Sequence, residues 1–256
     1  MSFNIAIRGL NAVSAQLDTI SNNIANADTV GYKSGRENFS ALYVNGKGNG
    51  VLDQGVQQSL NTNGSVINGS SSLDLAISGK GFFALQDTNG SQKFSRAGYV
   101  QVDKDGYLVN NAGLKYQGFP AGTTTGAVSS IMIPSTRNNG TLSDVNLDEK
   151  GNVQATYSNG ETATVGQVAL ASFANMDQLE PEDGTLWRAT EGSGAAQFGV
   201  AQTGVLGSLH NGSLESSNVD LTSELVNLMS AQRNYQANTK VISTDSSMFT
   251  ALFQAI

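Results

Sequence analysis

Cysteine is absent from this 256-residue chain, proline occurs three times, and charged residues make up only 14%. Without cysteine there are no disulfide frameworks, thiolate metal sites or cysteine nucleophiles. An average soluble domain carries roughly 25% charged residues. Gly, Asn, Ser and Thr fill the deficit here, so the surface is polar yet weakly charged, and like copies can pack without strong self-repulsion. The net charge is -7 and the basic residues are scattered singly, which excludes the basic stripe of a nucleic-acid binder. No run approaches the roughly 20 apolar residues that span a bilayer, so membrane insertion is not expected. The segment Met1–Ala27 mixes Asn, Gln, Asp and Arg with its hydrophobes. It lacks the basic-then-apolar order of a cleavable secretory signal, and an exported chain would need another route.

What is present divides into three zones and predicts an α+β fold. Near the N-terminus, Phe3, Ala6, Leu10, Val13, Leu17, Ile20 and Ile24 recur at steps of three and four. That is a heptad seam, and the helix should end near Asn26, before the turn residues Asp28 to Gly31. At the other end, Leu221, Leu225, Leu228, Gln232, Tyr235, Thr239, Ile242, Ser246, Phe249, Phe253 and Ile256 step the same way, with Asp220 as N-cap and Glu224 in the first turn. Between them lie Asn-Gly pairs at Asn45, Asn49, Asn63, Asn68, Asn89, Asn139, Asn159 and Asn211, and Asp-Gly pairs at Asp105 and Asp183. Both dipeptides suit hairpin turns. They punctuate short apolar runs such as Phe82–Leu85, Val153–Tyr157 and Val165–Phe173. The expected organisation is therefore a coiled-coil-like helical core from residues 1–30 and 219–256, extended arms over 31–70 and 204–218, and a mainly antiparallel β domain over 71–203.

Two helices alone cannot bury all the apolar surface at the ends. The C-terminal helix carries a second set, Val226, Met229, Val241, Met248 and Leu252, on other faces. A stripe that wide needs further helices, and identical copies are the simplest source. Polar seam positions at Gln232, Thr239 and Ser246 weaken the coil and can set its register. The termini are accordingly expected to order on assembly. Periodicity by itself equally fits ordinary core helices of an α+β domain.

The residues that could carry chemistry read as structural. His210, the only histidine, sits in a turn-like Leu209-His210-Asn211-Gly212. Asp103-Lys104-Asp105-Gly106 starts like a calcium loop, but strand-like Tyr107-Leu108-Val109 follows where further oxygen ligands are needed. Asn-Gly-Ser and Asn-Gly-Thr triplets arise freely in a chain rich in turns. No catalytic, metal or cofactor site is expected. Asn22, Asn23 and Asn26 cluster on the polar side of the first helix, either as a solvated face or as amide hydrogen bonds between helices of neighbouring copies. Lys33, Arg36 and Glu37 are candidates to bridge the arm to the helical core.

Several stretches resemble one family. Ser21-Asn22-Asn23-Ile24-Ala25-Asn26 with Thr29-Val30-Gly31-Tyr32-Lys33, Gly204-Val205-Leu206-Gly207 with Gly212-Ser213-Leu214-Glu215, Gln232-Arg233-Asn234-Tyr235-Gln236-Ala237-Asn238, and Phe94-Ser95-Arg96-Ala97-Gly98 are similar to motifs of bacterial flagellar axial proteins, the rod and hook class. The resemblance implies a non-enzymatic, self-polymerising subunit without cofactors. It implies a hollow helical tube with terminal helices inside and β domains outside, transmitting motor torque. It also implies export through the flagellar type III apparatus, and as partners an assembly cap and adjacent rod, hook and junction proteins. The expected location is the flagellum, outside the cell for a hook and periplasmic for a rod. Tyr107–Pro120 looks most hook-like, yet the chain passes from Val145-Asn146-Leu147 directly to Val153, where hook proteins usually insert an outer domain. Its length instead suits a rod protein, particularly a proximal one. The assembly residues implied are Leu10, Val13, Leu17, Ile20, Asn22, Asn23, Ile24 and Asn26 on the first helix. On the second they are Leu221, Leu225, Leu228, Gln232, Tyr235, Ile242, Phe249 and Phe253. A secreted β-rich fibre or adhesin and a β-solenoid carbohydrate enzyme are the rival classes; the first leaves the terminal heptads unexplained, and the second lacks clustered carboxylates.

Overall fold

The apolar periodicity at the two ends becomes two helices, α1 (Ser2–Ala25) and α2 (Leu221–Gln254). The computed structural model describes residues 2–44 and 46–254; the side chains of Ser2, Val44, Phe249 and Leu252 are outside the description, so the seam expected at Phe249 and Ile256 lies outside the described residues. The chain is α+β, with a mostly antiparallel β domain, and divides into two units. One comprises residues 1–27, 33–59 and 219–256; the other comprises 28–32 and 60–218.

In the helical unit, α2 starts where the sequence places its cap. Asp220 Oδ1 accepts from the backbone N–H groups of Thr222 (2.9 Å) and Ser223 (3.2 Å), satisfying donors that the first helical turn leaves open. Asn23 of α1 meets Glu224 of α2, and Gly9 meets Asn238. Equal displacements in opposite directions along the two helices make the pair antiparallel. Gly9 sits in a helix interior, where glycine costs about 0.5–1 kcal/mol relative to alanine. Its lack of a side chain is used: a Cβ there would stand 3.0 Å from the Asn238 amide.

Residues 31–70 were expected to be an extended arm. The structure instead forms an antiparallel hairpin of β1 (Gly35–Val44) and β2 (Lys47–Gln58). It lies along α1, with Gly50 against Ile5 and Arg8, and Gly35 against Thr19 and Asn23. The Asn49-Gly50 pair falls within β2 rather than in a turn. Phe39, Ala41 and Tyr43 alternate along β1, a two-residue period that marks a strand.

The β unit is built on one large sheet. Its main path runs through Thr136–Arg137, Gly140–Leu147, Asn152–Tyr157, Thr162–Val168, Lys115–Pro120, Phe82–Gln86, Gln92–Ser95, Leu186–Arg188 and Glu180–Glu182, all antiparallel neighbours. The returning segment differs from the expected free arm. Ser208–Asn211 pairs with Leu75–Ser78, and Ser213–Glu215 pairs with Val66–Asn68. His210 accordingly lies on a strand, exposed, rather than in a turn. These strands are too short for their periodicity to show in the sequence. The segment Gln178–Gly184 contains the strand Glu180–Glu182, whose two glutamates pair with Arg188.

The core of this unit follows the alternating runs. Phe83, Leu85, Tyr116, Val153, Tyr157 and Leu170 form its main cluster, and Phe82, Phe94, Phe173 and Trp187 form a second. The aromatics pack edge to face, Phe82 on Trp187 at 5.4 Å and Phe94 on Phe173 at 4.8 Å, a geometry that aligns positive ring edges with negative faces. Asp103 to Gly106 is a hairpin turn, closed by Gly106 N–H donating to Asp103 O. Among the described residues no group of metal-ligating side chains gathers there or elsewhere.

Candidate assembly interface

The helical unit is where an assembly surface was expected, and Asn23 is one of the few polar side chains that it buries. Asn23 is 1% exposed. Its Nδ2 donates to Gly35 O (2.8 Å) and to Glu224 Oε1 (3.0 Å), and its Oδ1 accepts from Gly35 N–H (2.9 Å). One amide thus ties α1 to β1 and to α2. These hydrogen bonds of Asn23 all run within its own chain. Asn26 Nδ2 donates to Asn22 O (2.9 Å), a local bond at the helix end, while the Asn22 side chain is exposed. Glu37 accepts from the Thr19 hydroxyl at 2.9 Å, so the bridge expected from the segment around Lys33 to the helical core exists at Glu37. Burial pushes the Glu37 carboxyl above its ordinary value, nearby Asp53 pushes it further up, and the Thr19 bond partly opposes them.

The apolar seam residues divide by helix. On α1, Ile20 is buried and Leu10, Val13, Leu17 and Ile24 are half-buried. Val13 lines a hollow together with Phe39 and Val51, so the hairpin borders the surface that a sister helix was expected to cover. On α2, the described side chains drawn inward are Glu224, Leu228, Ala231, Asn238, Ile242 and Asp245. They step by four, three or seven and form a seam facing α1, but a largely small and polar one. Leu228 and Ile242 belong to it as expected. Leu221, Leu225, Gln232, Tyr235 and Phe253 do not; they are exposed, with Phe253 at 77%. The reason is steric. Gly9 on α1 admits close approach by the Asn238 side of α2, which leaves Leu221, Leu225, Gln232 and Tyr235 off that contact, while in the same register Phe253 lies beyond the start of α1.

Val226, Met229, Val241 and Met248 are exposed as well. α2 therefore exposes apolar side chains along most of its length, interspersed with polar and charged ones that include Arg233 and Lys240. The hairpin adds Phe39, Tyr43, Leu52 and Val56, all exposed. Those residues were missed in the sequence, although the alternation along β1 was a readable signal.

The β unit contributes a different feature. Arg96 and Glu215 form a buried ion pair, Nη1 to Oε2 at 3.1 Å, with side chains 1% and 0% exposed. Arg96 Nη2 also donates to Gly79 O, Glu215 Oε1 accepts from Gly64 N–H, and the guanidinium lies over the Phe82 ring at 5.2 Å. Burial lowers the Arg96 pKa and the Glu215 charge opposes that. The pair binds the returning strand to the outgoing chain, giving a structural role to two of the motifs singled out above.

Comparison with known proteins agrees with this distribution. Residues 3–33 match the model described as flagella basal body rod protein, 76–155 that of the flagellar hook protein FlgE/F/G D1 domain, and 210–255 that of the flagellar basal body rod FlgEFG protein C-terminal. The flagellar basal-body rod protein FlgG of Agrobacterium fabrum is 34% identical over 95% of this chain and 95% of its own length. FlgG of Bacillus subtilis is 31% identical over 96% and 95%. The flagellar hook protein FlgE of Escherichia coli is 29% identical over 98% and 99%, in an alignment of 399 positions that exceeds the 256 residues here. With helical termini and a middle β domain matched in order, and with relatives covered nearly end to end, the chain belongs to the family of flagellar hook and basal-body rod proteins, structural subunits rather than enzymes.

Proposed function

We propose that the chain is a hook-type axial subunit that polymerises into a hollow helical tube and transmits motor torque to the filament. The exposed apolar side chains of α2 carry this reading. Leu221, Leu225, Val226, Met229 and Val241 cannot be covered by α1, which already packs against α2 through the opposite, small-residue seam. Sister helices supply the missing cover, completing a coiled-coil-like core in which Leu10, Val13, Leu17 and Ile24 also contribute. Export through the flagellar type III apparatus, growth beneath an assembly cap and contact with adjacent rod, hook and junction proteins follow from that role.

Electron microscopy and sedimentation of the purified full-length chain test it. Tubes should form above a critical concentration, with a gain of helix by circular dichroism. The double substitution L225D/M229D should abolish them while leaving the monomer folded, because both side chains are solvent-exposed. Failure of the unaltered chain to polymerise at any concentration, or unchanged assembly by L225D/M229D, would refute the proposal.

A rod subunit is the second reading, favoured by length: the alignment to the A. fabrum rod protein spans 264 positions, close to this chain, while the hook alignment is far longer. An outer domain inserted after Asn146, as expected of hook proteins, would account for the longer alignment. Curved, supercoiled polymers support hook; straight rigid ones support rod.

A further inference from the structure

The helical unit holds both halves of a contact that it cannot make with itself. One half is a hollow of about 330 Å³ lined by Gly9, Ala12, Val13, Ala237, Phe39 and Val51, with Gln16, Asn234 and Asn238 at its polar side. Gly9, Ala12 and Ala237 are the small residues of its lining, and Gly9 stands against Asn238 of α2. Its size lies near the lower end of pockets that bind small molecules, roughly 300–1,000 Å³, and admits one aromatic side chain. The other half is the end of α2. Carried along the helix pair, the register that sets Asn23 beside Glu224 sets Ser2 opposite Asp245. Past Asp245, α2 faces no turn of α1 among the described residues. Residues 246–254 are uncharged, and Phe253 is 77% exposed and Met248 61%.

We infer that Phe253 of one copy inserts into the hollow between Gly9, Val13 and Ala237 of the next copy. This inference rests on the reading of the chain as a self-assembling subunit and names the residues of one contact within it. A second copy is the occupant because neither surface bears a charge, although each molecule carries a net charge of -7. Phe253 cannot fill its own hollow, since Ala237 and Phe253 stand about 24 Å apart on one rigid helix. Knob and hole lie at different places on the molecule, so the contact is heterologous. Such contacts propagate into rings or open helical filaments rather than closing as two-fold dimers.

The absence of native cysteine makes the test clean. In the variant N234C/Q254C, both thiols are exposed and flank hole and knob, while Phe253 is retained. A short bismaleimide cannot bridge the roughly 30 Å between them along one helix, so every cross-link joins two copies. A ladder of covalent oligomers is expected, collapsing when F253A is added. F253A alone and the hole-filling A237W should each raise the critical concentration about tenfold or more, the effect of losing a buried aromatic anchor. A 1:1 mixture of the two should give short oligomers, because each partner ends a chain of contacts. Polymers that form with no ladder, together with unaltered critical concentrations for F253A and A237W, would overturn this contact and leave the assembly reading standing. If the unaltered chain forms no polymer, the assembly reading fails and takes this contact with it.

Discussion

The β unit buries its largest side chains, whereas the helical unit exposes many of its own. Trp187, Tyr116, Phe82, Phe83 and Phe94 are each 2% exposed or less. In the helical unit the fully covered apolar residues are Ala6, Ala12, Ile20 and Ala231, while Leu225, Met229, Val241 and Phe253 face outward. Burying a large apolar side chain is worth about 1.5–3 kcal/mol. The β unit collects that stabilisation within one molecule; the helical unit leaves a large share of it uncollected. A subunit that must stay soluble before it assembles gains from this division.

Four substitutions sharpen the contrast, read separately because the only tryptophan, Trp187, reports the β unit and far-UV circular dichroism is dominated by the helices. Glu215→Ala should have the largest effect. It strands the Arg96 charge in the interior, and denaturant melts followed by Trp187 fluorescence should show a loss of about 3–5 kcal/mol. Asn23→Ala leaves both polar groups of Gly35 and the Glu224 carboxylate short of a partner. The helical transition should weaken by about 1–3 kcal/mol while the Trp187 transition is unchanged. Asp220→Ala removes the cap of α2 and should cost about 1 kcal/mol in the same helical signal. Glu37→Gln should have the smallest effect and the opposite sign. A carboxyl whose folded pKa is raised adds stability below its unfolded value and loses it as pH rises through the folded value. At neutral pH the charged Glu37 is therefore a burden, and the variant should melt slightly higher. That difference should vanish below pH 4.5, the ordinary value of the group, where the native carboxyl is itself neutral.

The helices, the cap at Asp220 and the main strands were legible because each repeats a local period over several residues. Apolar periodicity picks out Leu221, Leu225 and Phe253, which the structure leaves exposed, whereas the side chains of α2 drawn inward include Glu224, Ala231 and Asn238, the last beside Gly9 of α1. Gly9, a costly residue in a helix interior, was the available clue. The β1–β2 hairpin was hidden by an Asn-Gly pair that falls mid-strand at Asn49. The strands Val66–Asn68 and Ser213–Glu215 are too short to carry a period and pair across nearly the whole β unit.

Composition and periodicity determined by themselves that this is a cysteine-free, weakly charged α+β chain with apolar helices at both ends and a turn-rich sheet between them. Those properties are local, written in the order of neighbouring residues. Only the tertiary structure decided that Asn23 clamps its own chain, that Arg96 and Glu215 meet in the interior, and that Leu221, Leu225 and Tyr235 of α2 lie off the contact with α1. Each of these depends on how closely distant segments approach, which small residues permit and local order does not encode.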